Sequence, residues 1–342
     1  MVSSKVSSKN DDKWGVIGHR SVVSYLQKNL SNNTVASAYL FTGQEGLGKN
    51  TVIEKFLAAL MCQSHKDPIQ SCQSCAICKQ VNGRVHPDVN WLEPEENKSI
   101  SVAEVRDLRS RLGQTALLNS YAVAVISQTS LLSEAAANAL LKIIEEPKGK
   151  TIFLLATDKP ALLPRTISSR CQVLQFQPVA KKIIFDYLIA QGFTEDKSNQ
   201  IADLSAGLPG QTIKYSQDGL LFEEVMSEVS QFIDLWELSP GKRVGSIERI
   251  LADAGRDFAA KSNWLKNHLP IWLGVARDIM LTQNGQSSLV SNSFESGRIL
   301  NLAKLWSSRQ TLSLINKCQQ AHINLLTNAS PNLVAANVML SV

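Results

Sequence analysis

Cys62, Cys72, Cys75 and Cys78 carry the most specific chemistry in the sequence. Nine residues separate the first two thiols and two residues separate each later pair, so three sulfurs share a tight turn and the fourth arrives from a preceding helix end. Four thiolates without a histidine suit a closed tetrahedral Zn²⁺ site. Such a site has no open position for water, and its role is structural rather than catalytic. The other reading, loosely related core thiols, fits poorly with paired two-residue spacings inside the polar run 70–80. Cys171 and Cys318 stand alone in apolar surroundings and read as packing residues.

Upstream, Gly43-Gln44-Glu45-Gly46-Leu47-Gly48-Lys49-Asn50-Thr51 has the make-up of a phosphate-binding loop. Gly43, Gly46 and Gly48 let backbone N–H groups wrap phosphate oxygens, and Lys49 would reach the terminal phosphates from a helix N-terminus. Two parts of a hydrolase are missing. Asn50 stands where a Ser or Thr hydroxyl normally ligates Mg²⁺, and Thr51 is one residue out of register. The apolar run Ala122 to Ile126 leads into Ser127-Gln128, where water activation requires carboxylates. The sequence therefore predicts no hydrolysis. It leaves ATP or ADP binding open, beside the plainer reading of a strand-to-helix turn kept for packing.

These residues need a scaffold, and the pattern around them supplies one. Short β-type runs at Ala38 to Thr42, Asp88 to Leu92, Ala122 to Ile126, Thr151 to Ala156 and Gln172 to Phe176 alternate with helical stretches. The helices are expected at Asn50 to Leu60, Val102 to Leu112 and Ser133 to Glu146, the last opened by a Ser cap and closed before Pro147. Alternation of this kind predicts an α/β domain over 1–178, with a parallel sheet covered on both faces. After Pro178 the strands stop. Ala180 to Ala190, Glu195 to Ala206 and Gly210 to Gln217 read as three helices of a small lid over 179–219, broken at Gly192 and at Gly207-Leu208-Pro209-Gly210. Only helical patterns follow in 220–342, so a third, all-α domain is expected.

Composition bounds the function classes. The 342 residues are 44% hydrophobic and 19% charged, with no apolar run long enough to span a bilayer, so no membrane role is expected. The polar stretch 1–13 reads as a disordered tail rather than a signal peptide, and a cytoplasmic location is expected. A net charge of +5 permits contact with nucleic acid without demanding it. Arg106, Arg109 and Arg111 share one helix whose apolar members Val102, Val105, Leu108 and Leu112 would face the core, and a solvated helix face accounts for the basic edge.

A further set of motifs carries a resemblance. His86-Pro87-Asp88, Val102-Ala103-Glu104-Val105-Arg106, Asn138-Ala139-Leu140-Leu141-Lys142, Glu145-Glu146-Pro147 and Ser169-Arg170-Cys171 together resemble the clamp-loader family of bacterial DNA polymerase III, whose fold is of the AAA+ type. The resemblance covers the sheet domain almost completely. Beyond it, Asn328-Ala329-Ser330-Pro331-Asn332-Leu333 and the apolar helix that follows resemble the collar through which family members form a five-subunit ring. Motor subunits of the gamma/tau type keep Thr or Ser after the loop lysine and Asp-Glu after the third strand. Asn50, Ser127 and Gln128 depart from that pattern, as does Gln211 where a nucleotide-sensing arginine is expected, so the chain resembles a non-hydrolysing member. Thr157 matches the family's first sensor position and is equally readable as a cap.

The resemblance implies a place in a ring with gamma/tau motors and a delta subunit, which loads the sliding clamp onto primer-template DNA. It also implies that Arg170 acts in trans on a neighbour's nucleotide, and that the four cysteines hold structural zinc. Two other readings are an ATP-hydrolysing gamma/tau-type motor, which would need Mg²⁺ ligation through Thr51 and a carboxylate from elsewhere, and a P-loop nucleotide kinase without ring partners. The kinase has no use for an all-helical third domain or a Ser-Arg-Cys edge.

Overall fold

The computed structural model describes residues 14–64, 67–94, 98–113, 121–327 and 329–342. The tail expected at 1–13 and Asn328 lie outside the described residues. The chain divides into two compact units, 1–184 with 207–210, and 185–206 with 211–342.

In the first unit five parallel strands form one sheet in the order β2-β3-β4-β1-β5. They are β1 (Ala38–Thr42), β2 (Val89–Leu92), β3 (Ala122–Ile126), β4 (Thr151–Thr157) and β5 (Gln172–Gln175). Every residue of β1 and β4 is buried, whereas β5 at the edge buries only Leu174, as expected of a sheet whose centre is enclosed and whose rim meets water. Helices α1 (Arg20–Ser31) and α2 (Lys49–Met61) seal one face, where Leu26, Phe56 and Leu57 pack with Tyr39, Phe41 and Leu154. A short α3 (Ala76–Asn82) adds Ile77 and Val81 to the same core. On the other face α4 (Val102–Leu112) and α5 (Glu134–Glu145) bring Val105, Leu108, Leu140 and Ile144 against Leu40, Ala124 and Phe153.

The helix starts follow from capping. Ser101 and Glu104 form a reciprocal capping box at α4, and the Ser133 hydroxyl accepts from the Ala136 N–H at 3.2 Å at α5. A further single turn, α6 (Arg165–Ser168), leads into β5. Because β1 lies between β4 and β5, the loop after β1 sits where the chain switches from one side of that strand to the other, the usual ligand position of such sheets.

The second unit is helical. Helices α7 (Lys181–Ala190), α8 (Glu195–Leu204) and α9 (Pro209–Gln217) follow the sheet, and α7 and α9 begin in the first unit. Six further helices follow: α10 (Gly219–Glu237), α11 (Pro240–Ala254), α12 (Phe258–Gln283), α13 (Ser296–Leu305), α14 (Ser308–Leu326) and α15 (Pro331–Met339). Their shared core holds Phe232 stacked on Trp272 at 5.1 Å between ring centroids, with Leu265, Leu314 and Val338 in the same cluster. Arg243 is buried there against Trp236 and donates to the main-chain oxygens of Leu235, Leu238, Met339 and Val342, which share its charge. Among the described residues no helix is long and apolar enough to cross a membrane.

Candidate functional site

The loop between β1 and α2 has the backbone of a phosphate cradle. Gly43, Gly46 and Gly48 have φ of 140°, 81° and 83°, and a Cβ on Gly43 would come within 2.6 Å of the Phe176 carbonyl oxygen. Gly48 caps α2 without a side-chain hydrogen bond, so no side chain competes for the first-turn N–H groups. The Lys49 ammonium is folded back on its own loop, donating to the carbonyls of Gly43 at 2.5 Å and Gln44 at 2.9 Å. Burial lowers the Lys49 pKa, and the carboxylates of Asp158 and Glu45 work against that shift. The loop is closed from outside as well. The Gly210 N–H donates to the Gly46 carbonyl at 2.8 Å, and a Cβ at Gly210 would lie 3.0 Å from that oxygen. Asn50 and Thr51, at the start of α2, are both exposed.

At the carboxyl end of β3 stand Ser127 and Gln128. The Ser127 hydroxyl donates to Glu93 Oε1 at 2.9 Å, and Arg84 binds that same oxygen at 2.9 Å while its other arm holds Glu54 at 2.7 Å. Arg84 also lies 4.3 Å over the Trp91 ring. Among the described residues, Glu93 after β2 and Asp158 after β4 bring carboxylates to this end of the sheet, the latter accepting from the Ser130 hydroxyl at 3.0 Å. Thr157 is buried and its hydroxyl oxygen accepts from the Lys159 N–H at 3.1 Å, a local cap of the turn after β4.

The four sequence-predicted thiols converge. Cys62 terminates α2, Cys75 caps α3, Cys78 lies in α3 and Cys72 precedes them, and the sulfurs all lie within 4.8 Å of one another. Zn–S bonds of about 2.3 Å in a tetrahedron separate sulfurs by roughly 3.8 Å, and Cys72 Sγ and Cys78 Sγ stand 3.9 Å apart. That separation is far beyond a disulfide bond of about 2.05 Å. Backbone N–H groups of Cys72, Cys75 and Cys78 point at the sulfurs of Cys62, Cys72 and Cys75 at 3.3 to 3.4 Å, the usual way a protein shares the charge of thiolate ligands. The N–H groups of Cys75 and Ser74 bring the Cys72 thiol down to about 6, whereas burial pushes Cys78 up. The donor set fits a tetrahedral thiophilic ion. Cys171 and Cys318 are pushed up to about 11 and about 12 by burial, and such thiols are poor nucleophiles at neutral pH.

Arg170 lies elsewhere. It follows α6 and precedes β5, at the amino end of the strands. In the register Tyr39 pairs with Gln172 and Thr42 with Gln175, so the loop after β1 is at the opposite end. The Arg170 guanidinium meets Glu145 Oε1 at 2.6 Å, the Thr166 carbonyl at 3.0 Å and the Ser169 hydroxyl at 3.4 Å, with 41% of its side chain exposed. The Glu145 contact escaped the sequence reading because 25 positions separate the two residues and no local spacing links them. Between α4 and α5, Arg106, Arg109 and Lys142 line a groove, a clustering that the helix-face reading of Arg106 and Arg109 did not anticipate, while Arg111 is paired with Asp107.

The family model for "DNA polymerase III, delta subunit" matches residues 18–180. The delta' subunit of DNA polymerase III from Bacillus subtilis is 28% identical over 264 residues, covering 77% of this chain and 78% of that protein. That of Pseudomonas aeruginosa is 42% identical over 137 residues, 40% of this chain and 42% of its relative. The chain resembles the delta-prime subunit of a clamp loader. The tau subunit of Bacillus subtilis is also similar, at 34% identity over 49% of this delta-prime-like chain and 30% of its own length. Identity by itself thus does not separate the delta' relatives from the tau relative.

Proposed function

We propose that this chain is the non-hydrolysing, delta-prime-type subunit of a DNA polymerase III clamp loader. It sits in a five-subunit ring with gamma/tau motors and a delta subunit, and the ring loads the sliding clamp onto primer-template DNA in the bacterial cytoplasm. In this reading 179–219 acts as the lid, 220–342 is the collar that joins the ring, and zinc on Cys62, Cys72, Cys75 and Cys78 braces the first unit without taking part in chemistry.

Arg170 is the residue that works in another chain. The observation that carries this role is its place in the sheet. Four residues of β5 at about 3.3 Å rise separate it by roughly 13 Å along the strand from its own phosphate loop, so it cannot serve that loop. A guanidinium exposed at the far rim can instead stabilise charge developing on a nucleotide bound by a neighbour.

Its own loop is supported as a non-catalytic one by Asn50, Ser127 and Gln128, by the folded-back Lys49 and by the capping of Gly46. Residual ATP or ADP contact through Gly43, Gly46, Gly48, Lys49, Asn50 and Thr51 would lack both the hydroxyl and the carboxylate that hold Mg²⁺. The isolated chain is therefore expected to hydrolyse ATP no faster than a buffer control, with Lys49→Ala making no difference, while size-exclusion of a mixture with motor and delta subunits shows co-elution. Steady-state turnover comparable with a purified motor, abolished by Lys49→Ala, would favour the gamma/tau-type reading instead.

A further inference from the structure

We infer that Glu145 is the positioning residue for the Arg170 guanidinium, an inference that rests on the trans role proposed above for that arginine. Glu145 is the last residue of α5, where the free carbonyls of the helix end disfavour a negative charge. Its carboxylate nevertheless points to Arg170 Nη2 at 2.6 Å, across to the turn after α6. The arginine's own turn supplies the second hold, with Nη1 donating to the Thr166 carbonyl at 3.0 Å. Two anchors on different elements fix both the direction and the roll of a planar group that would otherwise sample many rotamers at a half-exposed site. Glu146, the next residue, caps the helix and is exposed.

The contacts leave the arginine able to work. A guanidinium has five N–H donors, and the contacts to Glu145, Thr166 and Ser169 take at most three of them. A phosphoryl group from outside can therefore be met without breaking the ion pair. This separates a holder from a latch. A latch would have to open before the arginine could act, and removing it would speed the neighbour; removing a holder slows it. An exposed pair of this kind biases a rotamer population only modestly, so its loss is expected to lower the neighbour's kcat by about fivefold rather than by the full effect of losing the arginine.

The test uses rings reconstituted with motor and delta subunits of the same source, all motor sites silenced except the one facing Arg170. Glu145→Gln and Glu145→Ala should assemble normally and lower kcat at that site by about fivefold, with KM for ATP within twofold of wild type. Glu146→Gln should match wild type. On an Arg170→Ala background, Glu145→Gln should add nothing, since both changes then act through one missing group. An unchanged kcat, a raised kcat as a latch requires, or a loss that keeps its size on the Arg170→Ala background would each overturn the positioning role while leaving the arginine's own role standing. If Arg170→Ala itself matches wild type, the trans role and this inference fall together.

Discussion

Arg170→Ala is expected to leave this chain folded, zinc-loaded and competent for ring assembly, while hydrolysis at one neighbouring motor site falls by about 10³- to 10⁵-fold, the range over which arginine fingers act. The side chain is 41% exposed and its partner Glu145 is 38% exposed, so the freed carboxylate returns to water and the cost to folding is about 0 to 1 kcal/mol. The effect on the neighbour is far larger because the group meets charge that appears only in the transition state, in a site from which water is excluded. Total ATPase of the ring should fall only by the share of that one site, whereas clamp loading, which needs the cycle to complete, should fall severely. Arg170→Lys should not restore it, since a single ammonium cannot reproduce a planar two-pronged contact. ATPase and clamp-loading rates that match wild type in reconstituted rings would reduce Arg170 to the ordinary ion pair with Glu145 that the isolated chain displays.

The framework around that arginine is largely legible in the sequence. β1 and β3 fall where their continuous apolar runs place them, because central strands of an enclosed parallel sheet bury both faces. α4 and α5 begin at Ser101 and Ser133 because those hydroxyls take up otherwise orphaned N–H groups, and α5 stops short of Pro147 because that residue cannot extend the helix. α1 carries only part of the usual signal. Its cap is His19 in a left-handed conformation without a side-chain hydrogen bond, and its first turn holds no acid, so the local start signals are missing and its one sign in the sequence is the helical spacing of Val23, Leu26 and Leu30, which pack into the core. α3 was hidden for a different reason. It is capped by the sulfur of Cys75, a residue whose spacing announces a ligand rather than a helix start.

The same division runs through the candidate site. Thiol spacing and the glycine pattern are local, so Cys62 to Cys78 and the loop before Lys49 could be read directly. What the sequence could not show is how distant groups answer one another. Glu93 against Ser127, Asp158 near Lys49, Gly210 over Gly46 and Glu145 on Arg170 all depend on strand order and on a turn far along the chain. The opposite placement of Arg170 and its own phosphate loop likewise emerges only from the register of β1 with β5.

Zinc removal should produce the second large effect, this time within the chain itself. One zinc per chain is expected on metal analysis of protein purified without chelator. The argument is one of connectivity: Cys62 ends α2 and Cys78 lies in α3, and these helices contribute Phe56, Leu57, Ile77 and Val81 to one core. Within the intervening segment the Trp14 indole N–H reaches the Ile69 carbonyl at 2.6 Å and the Ile69 N–H donates to Asp67 Oδ1 at 3.1 Å. Structural zinc binds small peptides with apparent energies of about 10 to 16 kcal/mol. Much of that would be spent here on ordering the insert rather than on the domain as a whole. If only ~3 kcal/mol reaches the cooperative unit, the melting temperature falls by roughly 6 to 12 °C for a unit of this size. Cys75→Ser, which removes one thiolate while leaving a hydroxyl oxygen able to cap α3, should show that shift and lose the metal, while Cys171→Ser, away from the cluster, should keep it. ATPase of a ring built with the zinc-free chain should track how much chain assembles, because the metal is assigned no chemical step. A purified chain without zinc, or Cys75→Ser with an unaltered melting temperature, would return the four cysteines to ordinary core thiols.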